Sequence, residues 1–284
     1  MSVEFEHHRP ELFAAAYRML GSRTEAEDVL QEAWLRWREV DHDTVERPRA
    51  YLFRLVSRLA IDQLRKAKAR RETYIGPWLP EPLLTGPETD AERAESVSMA
   101  LLVVLESLDP AERVVFVLHE VFGVGHAEIA EVLGRTERAT RQLGYRARQH
   151  VEARRPRHRP TGRDHRELTD RFLTAAAGGD LTALTRLLAP DVVFCADADG
   201  ASETPREPVL GLTAVAGYLC SVTWAWPADL AWRPAEVNAG PGAVLTARGA
   251  VYAVLSLDTD GDNRIRTVRL ILEPGKLRHI TQHL

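Results

Sequence analysis

Through the first 150 residues the apolar positions recur every three and four residues, the period of a helix with one buried face. Leu12, Phe13, Ala16, Tyr17 and Leu20 predict a helix over Pro10–Leu20 that stops at Gly21. Ala26, Val29, Leu30, Ala33, Trp34 and Trp37 predict a second over about Thr24–Val40. Its front end is acidic (Glu25, Glu27, Asp28, Glu32), which suits the dipole of a first turn. Leu52, Leu55, Val56, Leu59, Ala60 and Leu64 predict a third from Pro48 to Arg71, whose other face carries Arg54, Arg58, Asp62, Arg65 and Lys66. Two more helices are expected at about Ala91–Ser107 and Pro110–Phe122, the latter with proline in the first turn, where its missing N–H costs nothing.

From Gly125 to Val151 the pattern reads as a helix, a tight turn at Gly134 and a second helix opening at Thr136. Ile129, Ala130 and Leu133 share one face of the first; Ala139, Leu143 and Ala147 share one face of the second. The Thr136 hydroxyl is a suitable N-cap. Arg138, Arg141, Gln142, Tyr145 and Arg148 lie on the opposite face, with Arg146 beside them. Such a pair is a helix-turn-helix whose second member fits a DNA major groove. Arginine pairs bidentately with guanine, glutamine with adenine, and further arginines neutralise phosphates. The blander alternative is an arginine-rich solvated helix. Gly144 interrupts the pattern, at a cost of about 1 kcal/mol relative to alanine.

Between the helical halves, residues 72–90 are rich in proline and glycine and predict an extended linker. The linker still carries Tyr74, Ile75, Trp78 and Leu79, apolar residues that need a surface to pack on. After Arg166 the character changes. Helices at Glu167–Gly178, Leu181–Leu188 and Thr213–Val222 accompany strand-like runs at Asp191–Ala196, Leu230–Val237, Ala243–Arg248, Val251–Leu257 and Ile265–Leu272. Gly240-Pro241-Gly242 and Asp260-Gly261-Asp262 are the turn signals between strands. Helices followed by antiparallel strands make an α+β domain with a curved sheet.

Composition narrows the classes. A chain of 284 residues with 45% hydrophobic and 27% charged residues is an ordinary globular one with room for two or three domains. A net charge of −4 means that nucleic-acid affinity must come from local clusters. The arginines from Arg135 to Arg166 and the run Arg65, Lys66, Lys68, Arg70, Arg71 are such clusters. Cys195 and Cys220 have no metal-ligand spacing, so no metal or cofactor is expected. No signal-like or membrane-spanning run is present, which predicts a cytoplasmic protein without a membrane partner.

The stretches EAEDVLQEAWLRW, PRAYLFRLVSRLAIDQLRKAKARR, LDPAERVVFVLHEVFGVGHAEIAEVLG and TERATRQLGYRARQHV resemble extracytoplasmic-function sigma factors of bacterial RNA polymerase. FLTAAAGGDLTALTRLLAPDVVF, REPVLG and IRTVRLILEPGKLRHI resemble a SnoaL-like domain of the NTF2-like fold, and YIGPWLPEPL resembles the linker of sigma factors that carry such a domain at the C-terminus. The resemblance implies two all-α sigma domains, the second with the helix-turn-helix, followed by an α+β NTF2-like cone. Residues 1–71 would bind the polymerase clamp and the −10 element, 72–90 would form the linker, 91–160 would bind the −35 element and 161–284 would regulate. Core RNA polymerase and promoter DNA are the implied partners. Asp28, Gln31, Glu32 and Trp34 would face polymerase. Arg54, Arg58, Asp62 and Arg65 would hold the −10 element, with Arg138, Arg141, Gln142, Tyr145 and Arg146 on the −35 duplex. Trp78, Leu79 and Pro80 would carry contact between the C-terminal domain and the sigma half. The chain departs from relatives in having Arg58 where many have asparagine. Asp197-Ala198-Asp199-Gly200-Ala201 stands where they have D-G-G-G-K, and Glu273-Pro274-Gly275-Lys276-Leu277 where they have N-P-D-K-L.

Two other classes stay open at this point. A one-component regulator would use the helix-turn-helix and a ligand-sensing cone but leaves the first three helices without a role. A SnoaL-like enzyme would cast Asp197, Asp199 and His279 as acid and base. No nucleophile, metal cluster or acid/base pair of defined spacing supports it, so no catalytic residue is assigned. A small-molecule ligand lined by Phe194, Trp224, Trp226 and Trp232 is a further alternative, against the simpler reading of those aromatics as core.

Overall fold

The computed structural model describes residues 3–71, 73–85, 97–154, 162–200 and 204–281, without the side chains of 68–71, 162–164 and 224. Gly86, Pro87, the opening of the helix expected from Ala91, residues 155–161 and Ala201 lie outside the described residues. Backbone contacts divide the chain into two compact units. One gathers Met1–Glu72, Asp90–Val97 and Leu101–Arg155, the other Thr73–Thr89, Ser98–Ala100 and Pro156–Leu284.

The first unit is helical. Helix α1 spans Val3–Leu20, α2 Arg23–Arg38 and α3 Pro48–Arg71. Helix α1 begins about two turns before the proline at which the pattern placed its start. Phe5 is buried and anchors that extra length, and the carbonyl that Pro10 cannot bond belongs to the exposed Glu6. Ser22 caps α2 by accepting the Glu25 N–H at 3.1 Å. Leu12, Leu20, Leu30, Trp37, Leu52 and Val56 form the core of this bundle, all nearly without solvent contact.

Helix α4 spans Met99–Glu106 and α5 Pro110–Phe116, continued by a π-helical turn over Val117–Val121. Helices α6 (His126–Leu133) and α7 (Glu137–Arg154) complete the helix-turn-helix. Gly134 takes a left-handed conformation (φ 62°) and closes α6, and the Thr136 hydroxyl accepts the Ala139 N–H at 3.3 Å. The buried side of α7 is Thr140, Leu143, Gly144, Ala147 and Val151. Gly144 has a packing reason: a Cβ there would lie 3.1 Å from Val115 and 3.3 Å from His126. The glycine trades helix propensity for close approach of α7 to α5 and α6.

The second unit is α+β, as the residue pattern required. Its elements are β1 (Leu84–Thr85), α8 (Gly162–Ala177), α9 (Leu181–Leu187), β2 (Leu188–Asp197), β3 (Val209–Leu210) and α10 (Leu212–Ser221). They continue with β4 (Ala231–Val237), β5 (Gly240–Ala247), β6 (Ala250–Thr259), β7 (Ile265–Ile271) and α11 (Pro274–Thr281). The seven strands form one sheet in the order β1-β4-β5-β6-β7-β2-β3, antiparallel except where β2 runs parallel to β7. Phe172, Leu184, Val215 and Leu219 from the helices meet Phe194, Leu245, Leu255 and Val268 from the sheet in one core.

Two sequence expectations change here. Gly240-Pro241-Gly242 is not a turn but the start of β5, with Pro241 opposite Glu236. The turn is made by Asn238 and Ala239, both at positive φ. Gly242 is needed for close approach instead, since a Cβ there would sit 2.3 Å from the Leu255 carbonyl oxygen. The stretch after β7, for which the residue pattern announced no helix, forms α11. Glu273 starts it, its carboxylate accepting the Gly275 N–H at 2.9 Å and the Lys276 N–H at 2.8 Å, with Pro274 in the first turn.

Candidate functional site

The outward face of α2 carries Asp28, Gln31 and Glu32 exposed to solvent, with Trp34 half-buried beside them. Glu32 pairs with Arg36 at 2.8 Å, and Arg38 lies 4.8 Å from the centre of the Trp34 ring. The exposed Leu35 adds an apolar patch to this acidic and aromatic face.

Helix α3 shows Arg58, Asp62 and Arg65 exposed and Arg54 half-buried. Arg65 pairs with Asp62 at 3.4 Å. Arg54 pairs with Glu131 of α6 at 3.0 Å, and Arg58 donates to the Glu131 backbone carbonyl at 3.4 Å. On α7, Arg138, Arg141, Gln142, Tyr145 and Arg146 are all exposed, Tyr145 at 62%. Arg141 pairs with Glu137 one turn back, Arg146 with Glu112 at 3.4 Å, and Arg148 with Glu120. Thus α7 projects a row of donors from a rigid, capped helix, the geometry that base edges and phosphates require.

Deeper in this unit, Arg113 is fully buried. It pairs with Glu106 at 2.9 Å and donates to the Arg18 carbonyl at 3.1 Å. Burial pushes its guanidinium down to about 9, so it stays charged at neutral pH.

The linker is gripped by the second unit. Asp197, at the end of β2, has no solvent contact. One carboxylate oxygen accepts the Tyr74 hydroxyl; the other accepts the Leu79 N–H at 2.7 Å and the Lys276 ammonium at 2.5 Å. Lys276 also donates to the Leu79 carbonyl at 2.7 Å and lies 3.4 Å from the centre of the Trp78 ring. An ammonium between a carboxylate and an aromatic face is held by charge and by the ring quadrupole together. Burial, and then the bond to Asp197, push the Tyr74 hydroxyl up from the usual phenol value.

Further along, His279 of α11 places Nδ1 at 2.9 Å from the Glu81 carboxylate and Nε2 at 2.8 Å from the Pro82 carbonyl. Asn238 bonds both ways with Leu83: its side-chain oxygen accepts the Leu83 N–H at 3.1 Å and its N–H donates to the Leu83 carbonyl at 2.8 Å. Leu84 and Thr85 then join the sheet as β1, opposite Val237 and Glu236. Trp78, Leu79 and Pro80 therefore lie in a continuous docking groove, with Leu79 and Pro80 buried.

The residues that make this groove were not assigned a role from the sequence. Asp197 and His279 stood only in the enzyme alternative, as acid and base; in the structure both bond the linker. Lys276 was seen only as part of a motif. The available signal was the coincidence of an acid at a strand end with a lysine following a proline-initiated helix. Gly200, at positive φ, has Ile75 3.3 Å from where its Cβ would be, so the 197–201 segment also meets the linker. Phe194, Trp226 and Trp232 belong to the core or pack against it, and Phe194 meets Tyr218 at a tilt with ring centres 5.1 Å apart. Among the described residues no helix is long and apolar enough to cross a membrane, and no group of three acidic, His or Cys side chains is placed to hold a metal.

Residues 5–70 match the family model for Sigma-70 region 2, and residues 98–151 that for Sigma-70, region 4. The Mycobacterium tuberculosis ECF RNA polymerase sigma factor SigJ is 46% identical over 223 residues, covering 76% of this chain and 71% of the relative. The chain belongs to the ECF RNA polymerase sigma factors. A second M. tuberculosis relative, the probable ECF RNA polymerase sigma factor SigI, is 32% identical over 98% of this chain and 94% of its own. The crystal structure of M. tuberculosis SigJ aligns with a TM-score of 0.77 at 36% identity, covering 98% of each chain. This ECF sigma factor thus directs promoter-specific transcription initiation, and its helical domains precede an α+β domain as in SigJ.

Proposed function

We propose that this sigma factor binds core polymerase through the outward face of α2, holds the −10 element along α3 and reads the −35 duplex with α7. In this reading the C-terminal domain regulates by fixing the linker between the two DNA-binding domains. One observation carries it: Asp197 and Lys276 together bond both the N–H and the C=O of Leu79. A backbone unit held on both sides in a buried site does not slide, so residues 74–85 contribute no free length to the connection. Released, twelve extended residues would reach roughly 40 Å, enough to change which promoter spacings the protein accommodates.

The test is run-off transcription with purified core polymerase on promoters selected by the protein, with the −10 to −35 spacer varied one base pair at a time. The wild type should show a narrow optimum, and Lys276→Met a broader one. Arg54→Ala and Arg138→Ala should each lower initiation at every spacing, as loss of a phosphate or base contact does. An unchanged spacer profile in Lys276→Met would remove the regulatory reading. Unchanged initiation in both arginine variants would remove the assigned DNA face.

A further inference from the structure

We propose that Glu131 of α6 closes the basic face of α3, standing in for a promoter phosphate until DNA displaces it. The two side chains it engages, Arg54 and Arg58, are among those assigned above to the −10 element, so the inference rests on that reading. Arg54 Nη1 donates to Glu131 Oε2 at 3.0 Å and Arg58 Nη2 to the Glu131 carbonyl at 3.4 Å. One residue of the helix-turn-helix thus presents two oxygens, one of them charged, to two guanidinium groups, as a phosphate would. The contact joins one DNA-binding helix to the module that carries the other.

The α3–α6 edge of this unit is its loosely closed part. Phe53 of α3 meets Phe122 at 5.3 Å between ring centres, and Arg49 covers the Phe53 ring at 4.7 Å. Beside this pair a cavity of about 310 Å³ remains between α3 and the helix-turn-helix, lined by Arg47, Phe53, Arg54, Val124, Glu128 and Val132 among others. This space is a cleft open to solvent, so along it α3 and the helix-turn-helix do not interdigitate, whereas deeper in the unit the buried Arg113 ties α5 to the Arg18 carbonyl of α1. The Arg54–Glu131 pair is 40% and 59% exposed, open to competition from solvent ions and from DNA. A duplex offers many phosphates and releases counterions on contact, whereas Glu131 offers one carboxylate. Promoter DNA therefore wins the exchange, while weaker anions do not.

The test uses the full-length chain with Cys195 and Cys220 changed to serine and dyes at Glu39→Cys and Glu152→Cys, two exposed positions of the first unit. Energy transfer between the dyes reports closure without DNA. Glu131→Gln should lower transfer and raise transcription at limiting sigma by roughly two- to fivefold, the range an exposed charge pair supports. Arg54→Glu should lower transfer as well, and combining it with Glu131→Arg should restore it. Unchanged transfer in Glu131→Gln, or no recovery in the charge swap, overturns the latch. If transfer follows the charge swap while Arg54→Ala leaves transcription intact, closure stands and the assigned DNA role of Arg54 falls instead.

Discussion

Two ion pairs of the same chemistry sit in this molecule under opposite conditions. Lys276–Asp197 in the linker groove is 8% and 0% exposed, whereas Arg54–Glu131 between α3 and α6 is 40% and 59% exposed. In the groove, removal from water makes each charge depend on its partner, and the aromatic face and backbone bonds complete the shell. At the α3–α6 junction, water and salt screen the pair and leave it worth at most about 1 kcal/mol. One contact is suited to permanence and the other to exchange. A durable charge pair thus holds the linker, and an exchangeable one joins α3 to α6.

The largest way to break that contrast is Lys276→Met. It strands the Asp197 carboxylate in a buried site and should destabilise the second unit by about 3–5 kcal/mol, read by thermal melting and by proteolysis at the linker. Adding Asp197→Asn should recover more than half of the loss, because no buried charge remains. Recovery of nothing would mean that hydrogen bonding, not charge, holds the groove. Next in size, Trp78→Ala removes the ring above the Lys276 ammonium and should cost about 2 kcal/mol, seen as faster amide exchange of Leu79.

The third test moves to the exposed side, where protons act. Burial, and then neighbouring His119 with its ring 3.8 Å away, hold His126 below the ordinary imidazole value. The unfolded chain therefore takes up a proton more readily than the folded one, and stability of the helix-turn-helix falls as pH drops below about 6.5. A His126→Gln variant should flatten that slope in melts between neutral and mildly acid pH; an equal slope would assign it elsewhere. The smallest effect is Arg54→Gln. It should shift the melting free energy of the first unit by less than about 1 kcal/mol, and the difference should vanish in 1 M salt, where the screening length is about 3 Å.

Much of the fold was legible because it depends on local rules. The period of Leu52, Leu55, Val56, Leu59 and Ala60 announced α3, and Gly134 with Thr136 announced the turn and cap of the helix-turn-helix. Gly144 was legible as an anomaly but not as a solution, since Val115 and His126 reach it only after folding. Gly240-Pro241-Gly242 misled for a related reason. Glycine serves turns and close backbone approach alike, and only the position of the Leu255 carbonyl distinguishes them. The early start of α1 was missed because the positions three and four after Phe5 are His8 and Arg9, so the apolar run is broken there and Phe5 is anchored by tertiary burial. The linker's need for a partner surface was visible in Trp78 and Leu79. Which surface it met was not, since Asp197, Lys276 and His279 lie about 120 to 200 residues away along the chain.

By itself the sequence determined most of the helices and strands, the helix-turn-helix with its row of arginines and membership of the sigma family. Each depends on spacing within a few turns or on motifs that survive as contiguous strings. Only the tertiary structure decided which charges are buried and which exchange with solvent. It turned Asp197 and His279 from loose candidates into the grip on the linker, and it set Glu131 against Arg54 and Arg58. Burial is a property of what the rest of the chain brings alongside, and the strength of a charge pair follows burial more closely than it follows residue type.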